Sequence, residues 1–165
     1  MLTDIIERII DERDSSVELP ANARNLTISQ KEFTEHGLPE IPSGYTEFLK
    51  EANGLSWNGF EFYGTAEFST DAEDEDIISL LEANQDFDEE EGKLLLGQSE
   101  EEQYVYNIAT KKYEIVDSIT GEEIESYASF EDLFTDLMEN VLSAIDDDEE
   151  YEEDEDDLDF YDDEE

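Results

Sequence analysis

The stretch LLLGQSEEEQYVYNIATKKYEIVDSITGEEIESYASFEDLFTDLM, residues 94–138, changes its hydrophobic period once, and that change decides the fold. LLLGQ (94–98), QYVYNI (103–108) and YEIVDS (113–118) are short β-rich runs separated by turn-forming residues, and TGEEIESY is the candidate for a fourth. Sequential runs joined this closely pair antiparallel, so a meander is expected. From Ser129 the period becomes helical. Phe130, Leu133, Phe134, Leu137, Met138, Val141 and Leu142 fall on one broad stripe, and Ser129 with Asp132 three positions on supplies an N-terminal cap.

Upstream, Trp57, Gly59, Glu61 and Tyr63 alternate with Asn58, Phe60, Phe62 and Gly64, which predicts a strand. Before it, Pro42 punctuates and Ser43 to Ala52 sets Tyr45, Phe48 and Leu49 on one helical face, with Asn53 and Gly54 as the stop. Ser29 and Glu32 suggest a capping box for a short helix through His36, closed by Gly37, after an irregular stretch from residue 14 to 28. At the start Leu2, Ile5, Ile6, Ile9 and Ile10 have helical spacing. That stripe can dock on the chain's own core or hold a partner. The acidic run Asp71 to Asp76 reads as a loop leading into a helix over Ile77 to Asn84. The expected architecture is α+β: a mostly antiparallel sheet flanked by helices.

After Ile145 the composition breaks. Of the last 20 residues 16 are acidic and none is basic, a density that repels itself and predicts a disordered tail over 146–165, beyond a single domain over 1–145. Removing those 16 from a net charge of -44 still leaves -28 on residues 1–145. Two readings of the tail stay open. Tyr151, Leu158, Phe160 and Tyr161 can serve as apolar anchors when the segment folds onto a basic groove, or the tail simply solubilises.

Charge also sorts the function classes. With 8 Lys and Arg against 52 Asp and Glu, the chain lacks the cations that bind nucleic acid by releasing phosphate counterions, and anionic membranes repel it as well. Such a field attracts a cationic protein, with encounter rates toward roughly 10⁸–10⁹ M⁻¹s⁻¹ at low salt. Plain solubility or adaptation to high salt is the simpler use of the same charge. There are no cysteines, which removes disulfides and thiolate chemistry. MLTDIIERIIDERD has no basic leader region and its apolar run is interrupted by charges, so neither a signal peptide nor a membrane span is expected, and the protein is expected in the cytoplasm.

Catalytic inventory is thin. His36 is the only histidine and sits beside Gly37 at a helix end, where capping is its expected work. No G-x-S-x-G elbow and no Gly-rich loop with Lys occurs. Carboxylates are too numerous for any one pair to carry meaning, and neither DAEDED nor DDDEEYEEDEDD has the Gly and terminal Glu of an EF-hand loop. The chain is therefore expected to be no enzyme and to need no cofactor or metal.

LPEIPSGYTEFLKEANG (38–54), Trp57, FEFYG (60–64), the Gly-containing strand pairs of 94–118 and SYASFEDLFTDLM (126–138) together resemble the SUKH superfamily, nearest its YrhA-like branch. That superfamily includes yeast cell-wall assembly regulators and bacterial toxin-immunity proteins, and the likeness covers about two thirds of the chain. It assigns motif roles to Pro42, Tyr45, Phe48, Leu49, Asn53, Gly54, Trp57, Gly64, Gly97 and Phe130. It implies an α+β fold and, for bacterial members, neutralisation of a toxin, often a nuclease, by stoichiometric binding. The candidate contact residues are Asp71, Glu73, Asp74, Glu75 and Asp76 in one acidic cluster and Asp86, Asp88, Glu89, Glu90 and Glu91 in another. The alternative is an acidic DNA mimic or chaperone-like protein that binds basic proteins without a dedicated toxin.

Overall fold

The late β-rich runs hydrogen-bond to one another in chain order, as alternation and short turns require. The structure is a computed structural model that describes residues 2–12, 15–69 and 76–159, with residues 145–159 in backbone only. In order the elements are α1 (Leu2–Ile10), β1 (Ser16–Val17), α2 (Ala23–Glu35), α3 (Ser43–Glu51), β2 (Leu55–Trp57), β3 (Phe60–Phe62), β4 (Phe68–Ser69), β5 (Asp76–Ile77), α4 (Leu80–Ala83), β6 (Lys93–Gln98), β7 (Glu102–Asn107), β8 (Lys112–Asp117), β9 (Glu123–Tyr127) and α5 (Phe130–Asp159). A seven-stranded sheet runs β1-β2-β3-β6-β7-β8-β9, every pairing in it antiparallel, and β4 with β5 makes a separate ribbon. The fold is α+β, as the sequence predicts.

One face of the sheet is packed by helices. Phe48 and Leu49 from α3, Phe62 from β3, Leu94 and Leu96 from β6, Tyr104 from β7, Ile115 from β8 and Phe130, Phe134 and Met138 from α5 are buried in one cluster. Ser129 Oγ accepts from the Asp132 N–H at 3.1 Å, so the cap that starts α5 is the expected one. α1 lays Leu2, Ile5, Ile6 and Ile9 onto the core and leaves Ile10 53% exposed; of the two uses open to that stripe, the fold takes intramolecular docking.

Two tyrosines do polar work inside this core. The Tyr45 hydroxyl donates to the carbonyl of Tyr63 and lies 3.0 Å from that of Leu96, tying α3 to β6 and to the end of β3. α3 starts after Pro42, which has no side chain able to cap it. The Tyr113 hydroxyl, arriving from β8, lies against the backbone of Gly44 and Tyr45 at that end. Burial first, then Tyr106 beside it, pushes the Tyr113 phenol up to about 12.

Several local expectations are corrected. Residues 57–64 are not one strand but a β2–β3 hairpin turning at Asn58 (φ 53°) and Gly59 (φ 86°), the left-handed pair that a two-residue turn needs. Such a turn pairs Trp57 with Phe60, so Leu55, Trp57 and Phe62 share the buried side and the simple alternation fails across it. α2 begins at Asn22, not Ser29: Asn22 and Asn25 cap each other at 2.8 and 3.0 Å, Ser29 is buried mid-helix, and the supposedly irregular stretch contains β1. The expected helix over 77–84 shrinks to Leu80–Ala83, capped by Ser79, because Ile77 pairs with Phe68 in the ribbon. α3 ends on an extended Ala52, so Gly54 does not close it in left-handed form; Gly54 (φ 110°) instead gives room to the Phe68 ring. The buried stripe of α5 ends at Leu142, close to the expected domain boundary at residue 145, while helical backbone continues to Asp159. Local hydrogen bonding propagates a helix from an anchored turn, and carboxylates three and four residues apart oppose it.

Candidate functional site

β3 is only three residues long, so it pairs with the C-terminal end of β6 and leaves the edge at Leu95 open. An unpaired edge needs cover. Asn84, 3% exposed, supplies it: Nδ2 donates to the Leu95 and Leu80 carbonyls, both at 2.9 Å, and Oδ1 accepts from the Leu95 N–H at 2.8 Å. That side chain acts as a one-residue strand, and it fixes where the following acidic loop leaves the body. The loop is then folded on itself. Phe87 N–H donates to Asn84 O at 3.0 Å, Glu90 N–H to Asp88 Oδ1 at 2.9 Å and Gly92 N–H to Asp88 O at 2.9 Å. Replacing Asn84 by Ala is expected to cost about 1–3 kcal/mol, since buried backbone groups lose their partners. Amide exchange of residues 86–92 should accelerate with it; unchanged protection there would show that the clamp does not hold the loop.

The sequence-predicted acids divide cleanly. Asp71, Glu73, Asp74 and Glu75 lie outside the described residues, and Asp76 is exposed on β5. Asp86, Asp88, Glu89, Glu90 and Glu91 stand together, all exposed, on the α4–β6 loop. Among the described residues no Lys or Arg pairs with these five; Lys50 pairs instead with Glu47 at 3.0 Å and Lys93 with Glu114 at 3.1 Å. The motif residues meet in the scaffold. Tyr45, Phe48, Leu49, Trp57 and Phe130 are buried, Pro42 precedes α3, and Asn53 latches Thr65 through two bonds of 2.8 Å. Gly64 and Gly97 sit where a side chain would strike Asn53 and the β3 backbone.

A cleft lies on each side of the loop, and Phe87 and Glu91 belong to both. One, about 480 Å³, opens onto the sheet face turned away from the helices, where Leu95, Gln103, Val105 and Val116 form the floor. Beside it Glu114, 3% exposed, takes the Lys93 ammonium at 3.1 Å and the Asn107 Nδ2 at 3.0 Å, a knot across β6, β7 and β8. The other cleft, about 550 Å³, has Leu38, Pro39, Phe87, Ile108 and Ala109 on its walls and Glu89, Glu90 and Glu91 at its rim. Its walls are joined, because Ile108 N–H donates to Gly92 O at 2.8 Å and Asn107 Oδ1 holds the Ala109 and Thr110 N–H groups at 3.0 and 3.2 Å. None of Asn84, Phe87, Ile108 or Ala109 was legible as a site residue. Asn84 carried the only usable signal, a polar residue ending a short apolar run.

His36 is the C-terminal cap of α2, with Nδ1 2.8 Å from the Glu32 carbonyl. Among the described residues no cluster of His, Asp or Glu is arranged to hold a metal ion, and no helix is long and apolar enough to cross a membrane. No protein-family model matches the sequence, and no curated protein is significantly similar to it.

Proposed function

We propose that this chain is a binding protein of the immunity type, acting in the cytoplasm without catalysis of its own, that neutralises a basic protein toxin by occupying its cationic surface. The observation that carries the reading is the α4–β6 loop: five exposed carboxylates, held by backbone bonds, with no cation of their own among the described residues. Loop backbone already held by its own bonds spares part of the ordering cost of docking, and a body that keeps a charge of -28 without its last 20 residues steers a cationic partner toward it. Nuclease surfaces that grip phosphates are rich in Lys and Arg, which gives the charge a target. The SUKH resemblance favours the same reading, and the α+β class it implies agrees with the antiparallel sheet and helices described above. One observation favours a broader specificity. Sixteen carboxylates in the last 20 residues offer any basic protein a contact, as in an acidic chaperone or a DNA mimic.

The test is the association rate of the full chain with a basic nuclease domain, chosen from any found encoded beside it, measured from about 50 to 500 mM salt. The rate should fall at least about tenfold across that range, and reversing Glu89, Glu90 and Glu91 to Lys should slow it and flatten its salt dependence. A salt-independent rate would remove electrostatic docking. Equal affinity for a panel of unrelated basic proteins would replace the immunity reading with the broader one.

A further inference from the structure

The geometry points to the cleft between the α2–α3 connection and the acidic loop as the seat of one particular kind of partner segment: a strand or loop in which Arg or Lys alternates with apolar side chains. This deepens the basic-partner reading and rests on it. Leu38, Pro39, Phe87, Ile108 and Ala109 offer apolar wall, while Glu89, Glu90 and Glu91 line the rim of the same cleft. A bare polycation satisfies the rim and leaves the walls wet; an apolar segment covers the walls and leaves the rim uncompensated. Only a segment with both kinds of side chain uses the whole cleft, its apolar side chains packing on Leu38, Pro39 and Phe87 while the cationic heads reach the carboxylates. The walls are preformed, because Ile108 N–H donates to Gly92 O and Asn107 Oδ1 fixes the turn that carries Ala109. Charge excludes the nearest competitors. The chain's own last 20 residues carry 16 acids and no base, and a second copy brings another -44.

The probes are two short labelled peptides of identical charge, one alternating Arg with Leu, the other Arg with Gly, titrated into the full chain by fluorescence anisotropy. The Arg–Leu peptide should bind at least about tenfold more tightly, the gain of burying apolar side chains. Ala109→Arg, at an exposed turn position, should abolish that preference by filling the cleft with bulk and positive charge. Ile28→Arg changes the charge equally on α2, away from the cleft, and should preserve it. Amide resonances of Gly37, Gly92 and Ala109 should shift on adding Arg–Leu peptide to the unmodified chain, which reads the site without any variant. Equal affinity for the two peptides, or a preference that survives Ala109→Arg, overturns the cleft assignment. If the chain still captures the basic nuclease domain in that case, the wider reading stands and only the seat is wrong. If neither peptide nor the nuclease domain binds, both fall together.

Discussion

Phe130→Ala is expected to lower the free energy of unfolding by about 3–5 kcal/mol, a fifth or more of the roughly 5–15 kcal/mol that a domain ordinarily has. The ring is fully buried at the start of α5 and is shared by four elements. Its centroid lies 4.9 Å from Tyr45 and 5.3 Å from Phe48 in α3, 5.8 Å from Phe62 in β3, 5.9 Å from Tyr113 in β8 and 5.8 Å from Phe134 one turn on. Edge contacts of this kind add to plain area burial, and no neighbour can slide into the gap because each is fixed by its own strand or helix. Urea unfolding should show a lowered midpoint at an unchanged slope. Ile119→Ala is the matched control: Ile119 is 92% exposed, so its loss should change stability by no more than about 0.5 kcal/mol. A Phe130→Ala midpoint close to that of the control would mean that the aromatic cluster is not the keystone of the core.

That cluster was legible because its aromatics are large and regularly spaced. The stripe from Phe130 to Leu142 and the face of Tyr45, Phe48 and Leu49 each repeat at helical spacing over a segment long enough to leave no competing period. The strands of the meander were legible for the same reason at a period of two. What failed was local. Asn58-Gly59 is among the strongest short hairpin signals, but aromatics on both sides mimic a single alternation running through it, and that pattern carries no trace of the inversion of side at a two-residue turn. Ser29 with Glu32 three residues on has the composition of a capping box, whereas the real box uses Asn22 and Asn25.

The candidate site was legible only in its charge. Composition marks Asp86 to Glu91 as acidic, but nothing in the order of residues says that Asn84 will stand in for a missing strand beside Leu95 and thereby aim the loop. Nor can spacing bring Leu38 and Pro39, about seventy residues before the β7–β8 turn, against Ile108 and Ala109. Such contacts are products of sheet order: β6 and β7 must pair first for Gly92 to meet Ile108. A loop's chemistry can be read from its own residues, whereas its neighbours come from the topology.

Gly64→Ala should destabilise by about 3 kcal/mol or more, at the upper end of what a single added methyl does in a packed region. A Cβ at this position would lie 2.2 Å from the Asn53 carbonyl oxygen, 2.6 Å from its carbon and 2.8 Å from Asn53 Oδ1. Backbone has to move, since Asn53 is itself held through both its Oδ1 and Nδ2 to Thr65. The displacement has a direct route to the proposed docking ridge. The Gly64 carbonyl accepts from Leu80 N–H at 2.8 Å, and Leu80 opens the short helix whose end carries the Asn84 clamp. Gly121→Ala separates crowding from backbone preference: Gly121 has φ 76° with open space around it, so the same methyl there should cost only about 1 kcal/mol. Thermal unfolding of the two variants side by side measures the difference, and amide exchange at residues 86–92 tells whether the damage reaches the loop. Similar melting temperatures for both would show that Asn53 yields easily, and exchange unchanged in Gly64→Ala would disconnect the α3–β2 junction from the acidic ridge.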